Sequence, residues 1–179
     1  MIAIIDSGGA NIASVQFALE RLGAESVLTK DVKIIQSADK VLLPGVGAAP
    51  IAMQNLAEYE LIDCIRGLTQ PVMGICLGMQ LLFAVSPEGN TPLLGIFDAD
   101  CETFTPAQGR SVPHMGWNRL SKQQDHPLLA GVDEGAHVYF VHSYYTKPVQ
   151  FSEIYGTTTY GVEFASVVSR PNLFAVQFH

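Results

Sequence analysis

Val72-Met73-Gly74-Ile75-Cys76-Leu77-Gly78-Met79-Gln80 is an apolar run in which one cysteine is framed by two glycines. Residues 72–75 read as a buried strand and residues 77–85 as a buried helix, so Cys76 falls on the turn between them. Gly74-Ile75-Cys76-Leu77-Gly78 is a G-x-nucleophile-x-G pattern, with sulfur where hydrolases place a hydroxyl, and strand–turn–helix is the context it requires. Glycines two residues to either side let neighbouring backbone approach a sharp, strained turn. Such a turn lifts the side chain above the sheet and sets the sulfur at a helix N-terminus, where the dipole favours thiolate. It also aims the Leu77 amide at a developing oxyanion. A buried core cysteine between packing glycines fits the same letters; the strand-to-helix context favours the nucleophile.

Outward from this turn, the first half of the chain alternates strands and helices. Ile2–Ile5, Ser26–Thr29 and residues 40–43 read as short apolar strands. Between them a stripe of Ile12, Val15, Leu19 and Leu22 predicts a helix stopped at Gly23. Ile51, Leu56, Ile62 and Ile65 predict one helix over 51–66, ending at Gly67. From Gly95 onward no helix is convincing, and residues 100–104, 117–120, 138–145, 153–158, 164–169 and 173–178 read as strands. The pattern predicts an α/β fold in one domain spanning 1–179. Its central, mostly parallel sheet carries helices on both faces, with antiparallel strands added in the second half.

With 179 residues, 48% of them apolar, the chain is long enough for a sizeable core. Ten Lys and Arg against 17 Asp and Glu give a net charge of −7, which argues against a sequence-independent nucleic-acid binder. No basic segment precedes the apolar start, which stops at Asp6, so no signal peptide is expected. The run over 71–85 is shorter than the ~20 residues of a membrane helix. These features predict a cytoplasmic protein with no membrane association. Three cysteines (64, 76 and 101) without a C-x-x-C suggest neither a disulfide framework nor a metal site.

A cysteine nucleophile needs a base. His179 ends the strand-like run 173–178, on the sheet edge where α/β sites form; a surface histidine at a frayed terminus fits the spacing equally. His142 also lies on a strand and reads as a structural or pocket histidine, whereas His126, before Pro127, reads as solvated. Spacing assigns no third, orienting carboxylate. Pro44-Gly45-Val46-Gly47 follows a strand that could lie beside Cys76 and offer further amides to an oxyanion; on its letters alone an ordinary strand-to-helix turn is the favoured reading. Gly45-x-Gly47-x-x-Pro50 fails the dinucleotide fingerprint at its third position, and no G-x-x-x-x-G-K is present. No cofactor is expected.

Residues 74–80 together with Val176-Gln177-Phe178-His179 resemble the class I (triad) glutamine amidotransferases, a flavodoxin-like fold. Four further segments narrow the resemblance: 43–47, Val112-Pro113-His114-Met115-Gly116-Trp117-Asn118, 139–145 and 161–164. They are similar to the glutaminase subunits of imidazole glycerol phosphate synthases, of histidine biosynthesis, and the likeness runs from Met1 to His179. The resemblance implies that Cys76 attacks the glutamine carboxamide to give a thioester and ammonia, with His179 as base and then acid. It implies oxyanion amides at Leu77 and Val46 and glutamine binding by Gly45, Gly47, Gln80, Ser143 and Tyr144. It also implies a heterodimer with a (β/α)8-barrel cyclase subunit, which takes the ammonia and makes imidazole glycerol phosphate and an aminoimidazole carboxamide ribotide. Asn11, Trp117 and Tyr139 match positions that face that partner.

Three departures accompany the likeness. The family's motif continues past the histidine as Pro-x-Glu or Pro-Glu, and a last helix is usual, so a tail after His179 is expected to be missing. The first loop reads Ser7-Gly8-Gly9-Ala10-Asn11 where Tyr-Gly-Met-Gly-Asn is common. Gly47 is followed by Ala48-Ala49-Pro50 where Ala-Phe is commoner. The alternatives are another class I glutaminase, of the vitamin B6 synthesis type, and a non-catalytic partner-binding subunit should the chain end at His179.

Overall fold

A computed structural model describes residues 1–8, 12–147 and 150–179. The first half runs β1 (Ile2–Ile5), α1 (Ile12–Arg21), β2 (Ser26–Thr29), α2 (Val32–Ser37), β3 (Lys40–Gly45), α3 (Ala49–Glu58), α4 (Leu61–Arg66), β4 (Val72–Cys76) and α5 (Leu77–Gln80). Strands follow as β5 (Val85–Ser86), β6 (Thr91–Pro92), β7 (Cys101–Thr103), β8 (His114–Arg119), β9 (Ser121–Lys122), β10 (His137–His142), β11 (Tyr144–Thr146), β12 (Ile154–Thr159), β13 (Glu163–Arg170) and β14 (Leu173–Val176). The main sheet has the order β2-β1-β3-β4-β14-β13-β11-β7, with β12 and β9 joined beyond β13. Pairings from β2 through β14 are parallel, and those from β13 outward antiparallel.

The chain steps from β1 one way to β2, then back across β1 to β3 and on to β4. Right-handed crossovers therefore put α1 on one face and α2, α3 and α4 on the other. The second face is the larger core. Leu56, Leu61, Met79 and Phe83 bury there against Ala3, Val41, Val72 and Ala175. On the opposite face Phe174, Val176 and Val167 pack with Leu120 and Leu129 from the β9 region. Among the described residues no helix is long and apolar enough to cross a membrane.

Four sequence expectations need correction. The helix expected over 51–66 is two, because Glu60 takes left-handed backbone (φ 55°) and re-aims the chain; the bend sets Tyr59 under the Lys30 ammonium, 3.9 Å from the ring centre. The helix expected over 77–85 stops at Gln80. Carbonyls of Leu81, Leu82, Phe83 and Ala84 accept from amides of residues 93–97 instead of continuing the helical ladder, and a fully apolar run carries no periodicity to forewarn of that. Residues 138–145 are not one strand: β10 pairs with β8 in a separate ribbon, and β11 joins the main sheet, so the chain changes sheets at Ser143. Helix α2 is additional to the elements expected. Asp31 caps it, accepting from the amides of Lys33 (2.8 Å) and Ile34 (3.3 Å), but six residues are too few for a periodic signal.

Candidate active site

The β3–β4 register sets Gly45 beside Cys76. From there the backbone turns at Cys76 with φ 54° and ψ −113°, a conformation that L side chains seldom adopt. The turn is possible because α5 crosses the strands at backbone contact. A Cβ on Gly78 would lie 1.7 Å from the Leu43 carbonyl oxygen, and one on Gly74 would lie 2.9 Å from that of Gly78. Cys76 thus borders a cavity of about 320 Å³ whose lining also includes Val46, Gly47, Glu88, Ser143, Tyr144 and His179. Gln80, Leu77 and His142 line it as well.

Most of the residues singled out by resemblance therefore converge. Gly45 is set back: its α-carbon packs on the amide of Gly78 and the side chain of Leu77 rather than facing the cavity. Trp117 is 70% exposed on β8 and meets the Tyr139 ring of β10 edge-on at 5.6 Å. Asn11 lies outside the described residues. His126 is not simply solvated: it stacks on Phe174, 4.7 Å between ring centres, and its Nδ1 accepts from the Leu128 amide.

Electrostatics correct one expectation. Burial pushes the Cys76 thiol up to about 11, outweighing the Leu77 amide and the Gln177 side chain, which both hydrogen-bond the sulfur and pull the other way. A four-residue helix cannot offset that desolvation. Burial also holds His179 below its ordinary value. Both shifts favour the uncharged forms, a thiol and a neutral imidazole.

Sequence reasoning missed two residues here. Glu88 reaches the cavity from the turn after β5, and its carboxylate accepts from the Ala49 amide at 2.7 Å. Gln177, wholly buried, sits between Gln80 and Cys76. A glutamate in a loop and a glutamine in a strand carry no distinguishing signal in one sequence.

Gln177 ends a relay that is polarised throughout. The Tyr144 carbonyl can only accept, and it takes Nδ1–H of His142 (2.7 Å) and an Nε2–H of Gln80 (3.0 Å). His142 Nε2 is then an acceptor for Nδ1–H of His114 (3.0 Å), whose Nε2 accepts in turn from the Asn118 amide (3.3 Å). Neutral imidazoles satisfy every step. Burial lowers both His114 and His142 to about 4. Unfolding lets both rings return to 6.5, so the unfolded chain binds more protons between these values. Their contribution to stability is complete above pH 6.5 and is lost as pH falls to about 4; His126 and His179 act in the same sense. Calorimetry should show Tm falling below pH 6.5, before the carboxylates titrate. A constant Tm across that interval would mean that the rings already carry charge in the folded state.

Comparison with known proteins shows the family. The family model for glutamine amidotransferase class-I matches residues 3–179. Imidazole glycerol phosphate synthase subunit HisH of Mannheimia succiniciproducens is 46% identical over 176 residues, covering 98% of this chain and 89% of that protein. The subunit of the same name from Haemophilus influenzae is 47% identical over 178 residues, covering 99% and 88%. Among solved structures, a glutamine amidotransferase superposes with a TM-score of 0.75 at 20% identity, covering 99% of this chain and 89% of the other. A glutamine amidotransferase from Thermotoga maritima gives 0.71 at 17% identity, covering 99% and 74%. At such identities these two structures speak for the fold alone.

Proposed function

The chain belongs to the class I glutamine amidotransferase family, and from that premise we propose that it is the glutaminase subunit of an imidazole glycerol phosphate synthase, in histidine biosynthesis. The observation that carries the reading is Cys76 on a strained strand-to-helix turn, opening into one cavity with His179. The 46–47% identity to subunits of that name favours this synthase over a glutaminase of vitamin B6 synthesis.

In this reading the substrate is glutamine, and residues 1–179 form one amidotransferase domain. Its carboxamide enters beside Cys76, and Glu88 is the acid that faces the α-ammonium group. Gly47, Ser143 and Tyr144 flank the substrate. Gln80 commits both N–H groups to Tyr144 and Gln177, so its carbonyl oxygen alone is left for glutamine. His179 takes the thiol proton as Sγ attacks the carboxamide carbon. The oxyanion is met by the Leu77 amide and, from the 44–47 strand end, by that of Val46. Collapse expels ammonia, which carries away the proton held by His179. Water, deprotonated by the same ring, then cleaves the thioester to glutamate and restores the thiol.

Ammonia released in this cavity is used by a partner. We assign that partner as the (β/α)8-barrel cyclase subunit, in a cytoplasmic heterodimer. Exposed Trp117 and the neighbouring Tyr139 on the β8–β10 ribbon belong to the contact, and Asn11 is proposed to join them. Glutamate release measured alone, with the cyclase subunit, and with the cyclase subunit carrying its nucleotide tests the function. Turnover is expected to be low alone and to rise at least about tenfold with the liganded partner, a coupling of ~1.4 kcal/mol. Equal turnover in all three would remove the synthase assignment while leaving the glutaminase.

A further inference from the structure

We propose that Gln177 is a catalytic residue of this site: its side-chain N–H donates to Cys76 Sγ and stabilises the thiolate, and Gln80 holds the amide in that orientation. The inference rests on the proposed role of Cys76 as nucleophile. Gln177 Nε2 lies 3.6 Å from the sulfur, and its Oε1 lies 2.9 Å from Gln80 Nε2. The direction of the amide follows from the groups around it. Gln80 must present N–H to the Tyr144 carbonyl, and its second N–H goes to Gln177. Gln177 therefore turns its oxygen to Gln80 and its nitrogen to the sulfur. Flipping it would set an oxygen acceptor against a thiolate and leave an N–H of Gln80 unpaired in the interior.

A neutral thiol gains little from such a donor, whereas a thiolate gains a charge-assisted hydrogen bond in a site that offers it little water. The donor therefore matters when the proton leaves. Burial opposes that departure, and the ionisable groups bordering the cavity bring no standing positive charge: His179 and His142 are held neutral, and Glu88 and Tyr144 are acids. Gln177 supplies a fixed dipole from the side of β14, while Leu77 supplies one from α5. Gln177 also lies two residues before His179, so the same segment of chain holds the thiolate's donor and the proton's acceptor.

Alkylation of Cys76 by iodoacetamide, followed against pH by peptide mass spectrometry, reads thiolate formation without glutamine turnover. It separates this proposal from the function itself: glutaminase activity can fail while the profile of the sulfur remains measurable. Gln177→Met keeps the length and loses the donor, and its midpoint is expected about one unit higher, with alkylation about tenfold slower at neutral pH. Gln177→Glu, which places an anion beside the sulfur, should raise the midpoint further. Gln80→Met leaves Gln177 in place but frees its amide to turn, and should shift the midpoint part of the way. It also serves as the test should either Gln177 variant fail to fold. Midpoints unchanged from wild type in the folded variants would overturn the proposal and leave Gln177 as packing.

Discussion

Cys76→Ala is expected to abolish glutamine hydrolysis, a loss of at least about 10⁴-fold, while the chain stays folded and still binds the cyclase subunit. The size of the loss follows from the absence of a substitute. Cys64 is buried on α4, and Cys101 lies behind Gln80, its thiol reaching the Gln80 carbonyl at 3.8 Å. Neither borders the cavity. Water attacking from the side of His179 would lack the strand-to-helix placement that aims Sγ between the Leu77 and Val46 amides proposed to meet the oxyanion. Folding should survive because alanine bears the same positive-φ backbone cost as cysteine does at φ 54° and leaves a space that already opens to the cavity. Ammonia release, a thermal melt and titration with the cyclase subunit check the three parts. Hydrolysis at more than a few per cent of wild type would remove Cys76 as nucleophile. Loss of partner binding together with activity would make the residue structural.

How much of this site is legible in the sequence depends on where each residue takes its meaning. Cys76 is legible because strand, glycines and turn lie within five consecutive residues, and the parallel half of the sheet is legible because its strands are short apolar runs and the stretches of α1, α3 and α4 carry helical periodicity. Gly78 reads as giving room, which is what its distance to Leu43 requires. The relay is not legible. Asn118, His114, His142, Gln80 and Gln177 come from β8, β10, α5 and the end of β14, and only the crossing of the ribbon into the main sheet at Ser143 brings them together. The protonation state of Cys76 is not legible for a related reason. The turn and helix start lie within a few consecutive residues, whereas the desolvation that raises the thiol is a property of the whole packed site. Helix ends suffer likewise: Leu81–Ala84 could continue α5 on propensity, and their carbonyls are taken by a segment about ten residues away.

Gly78→Ala should be strongly destabilising, and its sign runs against helix propensity. At an ordinary helical position alanine gains roughly 1 kcal/mol over glycine. Here the new methyl would sit 1.7 Å from the Leu43 carbonyl oxygen and 2.8 Å from its carbon, both backbone atoms of β3. Neither can rotate away, so α5 must lift from β3 or the β3–β4 pairing must part. Overpacking of this kind costs about 3 kcal/mol, which for a domain of this size lowers Tm by roughly 6–12 °C. Gly131→Ala is the control: its φ of +80° carries the left-handed penalty, but nothing lies within 4 Å of the added methyl, so a loss of only ~1 kcal/mol is expected. Lifting α5 also carries the Leu77 amide away from the proposed oxyanion position and Gln80 away from Gln177. Glutaminase activity of the fraction that remains folded should therefore fall by about 10²-fold. A Gly78→Ala protein that melts near wild type with full activity would mean that α5 does not cross β3 at backbone contact. The turn that aims Cys76 would then have to be held by something other than the two glycines that flank it.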